Sequence, residues 1–120
     1  MAAVMINASM NHLDDTLTAL ADPTRRHVVE LLRQGPRRAS DIADAVGMSR
    51  QATSRHLNVL RARGIVEVDL VEADGRGRAY RLRPERLAAL QAWLDQMQAG
   101  HAEQLAAFKR YAERDRRAGT

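Results

Sequence analysis

The tripeptide Gly47-Met48-Ser49 constrains the fold of this chain more than any other short stretch. It separates two short amphipathic segments. Before it, Ser40 is a candidate N-cap, and Ile42, Ala43 and Val46 recur on one helical face. Gly47 can adopt the left-handed conformation that stops a helix, and Ser49 can accept from the free N–H groups that begin the next one. The second segment runs through Arg63 to Gly64. Its inward line is Thr53, Leu57 and Leu60, with Ala52 and His56 at the margin. Two short helices joined by so tight a turn predict a helix-turn-helix.

The flanking sequence extends this motif into a domain. Leu13, Leu17 and Leu20 share a helical face, with Asn11 as a candidate cap, and residues 1–10 carry little pattern and are expected to fray. Asp22-Pro23 ends that helix and opens another, since Asp22 can accept from free N–H groups and Pro23 has none to lose. Val28, Val29, Leu31 and Leu32 form its apolar side, and Gly35-Pro36 stops it. After Gly64 the period falls to two. Val66, Val68 and Leu70 alternate with Glu67, Asp69 and Val71, then Asp74-Gly75-Arg76-Gly77 reads as a hairpin tip. Tyr80 and Leu82 alternate on the return strand, flanked by Arg78, Arg81 and Arg83. The predicted fold is mainly α with a small β-hairpin wing (α+β), a winged helix-turn-helix over residues 11–98 in the order α-α-α-α-β-β-α.

Pro84 opens a last helix, predicted over residues 84–115, with 116–120 as a loose polar tail. Leu87, Leu90, Leu94 and Met97 recur at three and four, and the same register reaches His101, Gln104, Phe108 and Tyr111. Gly100 introduces a bend point. So long a helix beyond the wing has too little local core to cover its stripe. Pairing with a second copy, with Leu13 and Leu17 contributing, predicts a homodimer. Its interface candidates are Leu13, Leu17, Leu87, Leu90, Leu94, Met97 and Phe108.

Composition narrows the functional classes. The 120 residues suit one small domain, and 28% charged with 45% hydrophobic residues is a soluble globular balance. The chain has no cysteine, which excludes disulfides, thiolate metal sites and thiol redox chemistry. No apolar run approaches the ~18 residues of a membrane span. The opening residues lack the basic start and apolar stretch of a signal peptide, so a cytoplasmic protein is expected. Of 19 basic residues against 15 acidic ones, all but Lys109 are arginine, whose planar fork of donors suits phosphates and guanine edges.

With Thr53, Leu57 and Leu60 inward, Arg50, Gln51, Ser54, Arg55 and Asn58 face outward, and double-stranded DNA is the expected partner. Arg50 or Arg55 can donate twice to guanine, Gln51 can exchange a pair of bonds with adenine, and Ser54 can meet a base edge or a phosphate. Ser49 and Asn58, Arg37 and Arg38 near the helix junctions, and Arg76 and Arg78 around Gly77 are candidates for phosphate or wing contacts. Arg25 is a further candidate for flanking phosphates. His56 has two readings, a phosphate contact at the groove edge or an inward histidine that bonds backbone. The competing class is a winged-helix protein-interaction module, which would more often carry an apolar or acidic patch on this helix. Catalysis has no support. No serine comes with a histidine and carboxylate in a triad pattern, and Gly75-Arg76-Gly77 lacks the lysine and hydroxyl of a phosphate loop.

Several short signatures in order resemble the ArsR/SmtB family of small winged-helix repressors. They are Leu20-Ala21-Asp22-Pro23-Thr24-Arg25-Arg26, Ser40-Asp41-Ile42-Ala43, the stretch from Ser49 through His56-Leu57-Asn58 to Val66, and Gly75-Arg76-Gly77-Arg78 with Tyr80-Arg81-Leu82. The resemblance covers about residues 13 to 98. It implies a homodimer joined through the first and last helices, palindromic promoter sites, groove contact by Gln51, Ser54 and the neighbouring arginines, and release by a ligand or by oxidation. The sensing half departs from the family pattern. The helix Ser40 to Val46 has no cysteine pair, Asp95-Gln96-Met97 breaks an Asp-x-His box, and His12, His27, His56 and His101 have no ligand spacing. No metal or other cofactor is expected. A small organic effector would have Trp93, Met97, Phe108 and Tyr111 to line a pocket between protomers, while the simpler reading has these residues packing the interface.

Overall fold

Local capping chemistry sets the helix boundaries in the computed structural model, which describes residues 12–70 and 77–118. After α1 (12–20), Asp22 accepts from the backbone N–H groups of Thr24 and Arg25 at 2.8 and 3.1 Å, and Pro23 opens α2 (Pro23–Leu32). These bonds hold the Asp22 carboxyl below its usual range. The Arg25 N–H has the largest effect, followed by the opposing effect of desolvation, then the Thr24 N–H and the charges of His56 and Arg25. Gly47, at φ 68°, ends α3 (Ala39–Val46), and the Ser49 hydroxyl accepts from the Ala52 N–H to start α4 (Arg50–Ala62). At the far end of α4, Gly64 at φ 80° sends its N–H to the Arg61 carbonyl, and Ile65 sends its own to Leu60. This is a Schellman stop, with Leu60 and Ile65 both fully buried beside it.

The chain then turns into β2 (Val66–Leu70) and returns along β3 (Arg78–Leu82), antiparallel, with Val66 opposite Leu82 and Val68 opposite Tyr80. A third strand, β1 (Arg37–Arg38), pairs with the other edge of β3, so the sheet order is β1-β3-β2. The sequence reading, which predicted a two-stranded wing, missed β1. Two residues have no period to detect, and the pairing is formed by a partner far along the chain. The order is therefore α-α-β-α-α-β-β-α.

One core joins the helices to the sheet. Val28, Ile42, Leu57, Leu60, Ile65 and Val66 are 0–1% exposed, with Leu20, Tyr80, Leu82 and Leu87 packed against them. Burying each such aliphatic side chain contributes about 1.5–3 kcal/mol. One expectation is corrected here. Ser40 does not cap α3, because that helix begins one residue earlier and its N-cap is Arg38, whose side chain makes no capping bond. On α1 the buried positions are Thr16 and Ala19, while Leu13 is half-buried and Leu17 is 46% exposed. Small side chains seat α1 against the core, with Leu20 packed on it as well, and leave Leu13 and Leu17 toward the edge.

The last helix, α5 (Pro84–Ala118), is one 35-residue element, about 52 Å long at 1.5 Å per residue. It runs unbroken through Gly100, and residues 116–118, expected as tail, are helical. Bends and loose ends need a lost backbone bond, and neither a polar side chain nor a single glycine removes one. The chain divides into two compact units, Met1–Ala88 and Ala89–Thr120, so the winged helix holds the first turn of α5 and the rest is a unit of its own. Asn11, residues 1–10 and the expected tip at Asp74, Gly75 and Arg76 lie outside the described residues.

Two glycines separate conformational need from mere tolerance. A Cβ on Gly64 would stand 3.0 Å from the Arg86 guanidinium as well as in a left-handed backbone, whereas one on Gly100 would meet nothing within 4 Å in a helix interior. Chemical denaturation should show Gly64→Ala destabilised by about 1–2 kcal/mol. Gly100→Ala should instead raise helix stability by about 0.5–1 kcal/mol.

Candidate nucleic-acid interface

The candidate surface is built on α4. Thr53, Leu57 and Leu60 are buried in its inward line, and Arg50, Gln51, Ser54, Arg55 and Asn58 are exposed on the other side. Rotating the helix to hide the polar side would expose Leu57 and Leu60 at a cost of several kcal/mol, which fixes the orientation. The outward chemistry is two guanidinium forks, a carboxamide, a hydroxyl and a second carboxamide one turn on. These groups suit the donor and acceptor pattern of a major groove. Ser49 is exposed at the helix start, with its hydroxyl accepting from the Ala52 N–H at 3.1 Å. His56 is half-buried, and its charge acts on the Asp22 cap of α2, on the side of the helix away from the polar face.

The sheet sorts the remaining arginines by alternation. Arg81 points to the face where β2 carries Glu67 and Asp69, and pairs with both, at 2.7 Å to Asp69. Arg83 lies 3.8 Å from Glu67 and 3.9 Å from Glu85. Arg78 is exposed on the opposite face, in line with Tyr80 and Leu82. Arg37 donates to Gln34 Oε1 at 2.8 Å, and the Arg38 side chain lies over Gly77, where a Cβ would come within 3.1 Å of Nε. Arg38, Arg50 and Arg78 line one open cleft of about 360 Å³, with Ser40 and Tyr80. Ser40 and Tyr80 were not candidates from sequence. No periodicity could find them, because the β1–β3 pairing alone brings them to the α4 N-terminus. Arg76 lies outside the described residues.

Arg25 is bonded within its own domain. Its Nε donates to the Ala19 carbonyl at 2.7 Å and its terminal nitrogen to Thr18, while Arg26 reaches the Leu20 carbonyl at 2.8 Å. Both cations satisfy the free carbonyls at the end of α1, where the helix dipole favours them.

The association candidates divide as well. Leu87 packs on its own winged-helix core and Leu90 is half-buried. Trp93, Leu94, Met97, Leu105, Phe108 and Tyr111 are exposed, Phe108 at 70%. Leu105 was overlooked because it falls beside the strict three-and-four stripe. Among the described residues no three His, Asp or Glu side chains are grouped to hold a metal, and no helix is long and apolar enough to cross a membrane.

A family model described as "Bacterial regulatory protein, arsR family" matches residues 22–68, the stretch from the Asp22 cap through the helix-turn-helix into β2. Over 82 residues the chain is 42% identical to the HTH-type transcriptional regulator Rv2034 of Mycobacterium tuberculosis, covering 68% of this chain and 74% of that protein. The chain belongs to the ArsR family. Its fold matches the ArsR-like transcriptional regulator from Rhodococcus sp. RHA1 with a TM-score of 0.72 at 33% identity, covering 88% of this chain and 96% of that one. It also matches the homodimeric winged helix-turn-helix DNA-binding domain Mb0332 from Mycobacterium bovis, with a TM-score of 0.61 at 31% identity over 82% and 88% of the two chains. As an ArsR-family winged helix, the protein is a sequence-specific DNA-binding transcriptional regulator and not an enzyme.

The two roles open to Arg25 differ in what they move. Arg25→Ala should lower the unfolding free energy by about 1 kcal/mol through loss of its carbonyl bonds. DNA affinity of the folded variant, read by fluorescence anisotropy, should stay within about twofold of the parent. A loss of phosphate contact would instead weaken binding with little change in stability.

Proposed function

We propose that the protein is a dimeric repressor, acting in the cytoplasm, that lays α4 in the major groove of a two-fold symmetric operator and its wing on the flanking DNA. The observation that carries this reading is the division of α4 itself, with Thr53, Leu57 and Leu60 buried and Arg50, Gln51, Ser54 and Arg55 exposed. Sequence is read by Gln51, Ser54 and the forks of the two arginines, while Ser49, Asn58, Arg37, Arg38, Arg76 and Arg78 serve the backbone. Affinity from the backbone contacts falls steeply with salt, and specificity does not depend on them.

Dimerisation has two supports. Leu17 on α1 and Leu94, Met97 and Phe108 on α5 are exposed large apolar side chains in the single chain. The similar Mycobacterium bovis domain is described as homodimeric. The contact surface is assigned to Leu13, Leu17, Leu90, Leu94, Met97 and Phe108, without Leu87. A dimer seated across a promoter occupies DNA that polymerase would otherwise use, which makes repression the default outcome.

Selection from a genomic DNA pool across a salt series tests the reading. It should enrich a palindrome whose half-sites lie about one helical turn apart. A folded protein that binds no DNA at low salt would contradict it and leave the protein-interaction module. On the selected site, Gln51→Ala should relax base preference at one position per half-site by about 1–3 kcal/mol. Leu94→Asp should sediment as a monomer at micromolar concentration where the parent is a dimer.

A further inference from the structure

We propose that Asp15 and Arg63 are positioning residues for operator recognition: their ion pair sets the tilt of α4 against α1, and so the half-site spacing that a dimer accepts. This rests on the operator-binding reading and deepens it. Arg63 is the C-cap residue of α4, and its Nη1 lies 2.7 Å from Oδ1 of Asp15, 48 positions earlier in the chain.

The core and the ion pair govern different motions of the same helix. Leu57 and Leu60 are fully buried, which fixes the rotation of α4 about its axis. Rotation leaves tilt open, and tilt is set by what holds the ends. At the far end Arg63 is drawn to α1, and the next residue, Gly64, is covered by Arg86 from the first turn of α5. Nη2 of Arg86 lies 3.0 Å, and its Cζ and Nε 3.1 Å, from where a Gly64 Cβ would stand. Nη1 of Arg86 is buried with no hydrogen-bond partner among the described residues, so packing keeps that guanidinium on the glycine. The end of α4 is thus held from two sides. Gln51 lies about 18 Å along the helix from Arg63 at 1.5 Å per residue. A tilt of about 5° about the held end displaces Gln51 by about 1.6 Å, more than a hydrogen bond to a base edge tolerates.

α1 is the element through which such a tilt is referred to the partner protomer. At about 100° per residue its sides separate. Thr16 and Ala19 are buried on the core, Asp15 meets Arg63, and Leu17, about 200° round from Asp15, is exposed in the surface assigned to the partner. The ion pair itself is exposed, at 44% and 31% for the two side chains, and pairs of this kind add little to folding stability. Its effect is directional: a charge-assisted bond of this length holds one separation between the two helices at their exposed margin.

A charge swap tests this. The parent, Asp15→Arg, Arg63→Asp and the double swap are each measured on the selected operator and on the same half-sites respaced by one base pair. The ratio of the two affinities is the readout, since an added or lost charge acts on both duplexes alike and the double swap keeps the parent's net charge. The parent should prefer its own spacing by about tenfold or more. Each single variant should fall to about threefold or less, and the double swap should return to within about twofold of the parent. Thermal unfolding near the parent's and an unchanged dimer mass in sedimentation should show that fold and partner contact survive. If a reversed charge prevents folding, Asp15→Asn should lower the ratio in the same direction. A ratio that stays at the parent's value in the single variants overturns the proposal and leaves an ordinary surface ion pair. A loss in Arg63→Asp that the double swap fails to restore also overturns it, and makes Arg63 a phosphate contact. A parent that reads bases through Gln51 yet has no spacing preference would leave operator binding standing while the positioning role falls. A folded parent that binds no DNA removes both.

Discussion

The seating of Leu57 and Leu60 in one cluster with Val28, Ile42 and Ile65, with Thr53 buried on the same line of α4, is the interaction on which the rest of the structure depends. It fixes the rotation of α4 about its own axis. Everything outward on that helix is outward because these three are not. The Schellman stop at Gly64 then turns the chain directly from Leu60 into Ile65 and Val66, so the core that orients α4 also anchors the root of the wing. The outward face of α4 and the hairpin are thus held by one set of aliphatic contacts.

Arginine is used in three ways across this small domain. Arg25 and Arg26 close the end of α1 on its carbonyls. Arg63 ties α4 to α1 through Asp15 at 2.7 Å, and Arg81 pairs across the outer face of the wing, exposed contacts that contribute little each. Arg50, Arg55 and Arg78 remain on the exposed surface beside the cleft and the polar face of α4. Net charge alone, at +4, would not distinguish these groups. Their partners do.

Much of the winged helix was legible because its signals are local. Asp22-Pro23, Gly47, Ser49 and Gly64 act on backbone groups within a few residues, and the change from a helical period to alternation after Gly64 marks β2 without reference to the rest of the chain. The inward line of α4 followed from its 3.6-residue period. What was missed is non-local or small. β1 exists only because β3 returns beside it, the burial of Thr16 and Ala19 on α1 has no strong apolar signal, and the carbonyl bonds of Arg25 depend on atoms contributed by another element. Ser40 looked like a cap from its position, yet backbone pairing at Arg38 moved the helix start past it.

The central claim is that the polar side of α4 meets base edges in the major groove because its apolar side is locked inward. A crystal structure of the full chain bound to its selected duplex tests this most directly. In that complex α4 should lie in the major groove, with Gln51 and Ser54 within hydrogen-bond distance of base edges and Leu57 still enclosed by its own domain. A complex in which that polar side rests on another protein surface, or in which the DNA is gripped elsewhere on the molecule, would contradict it.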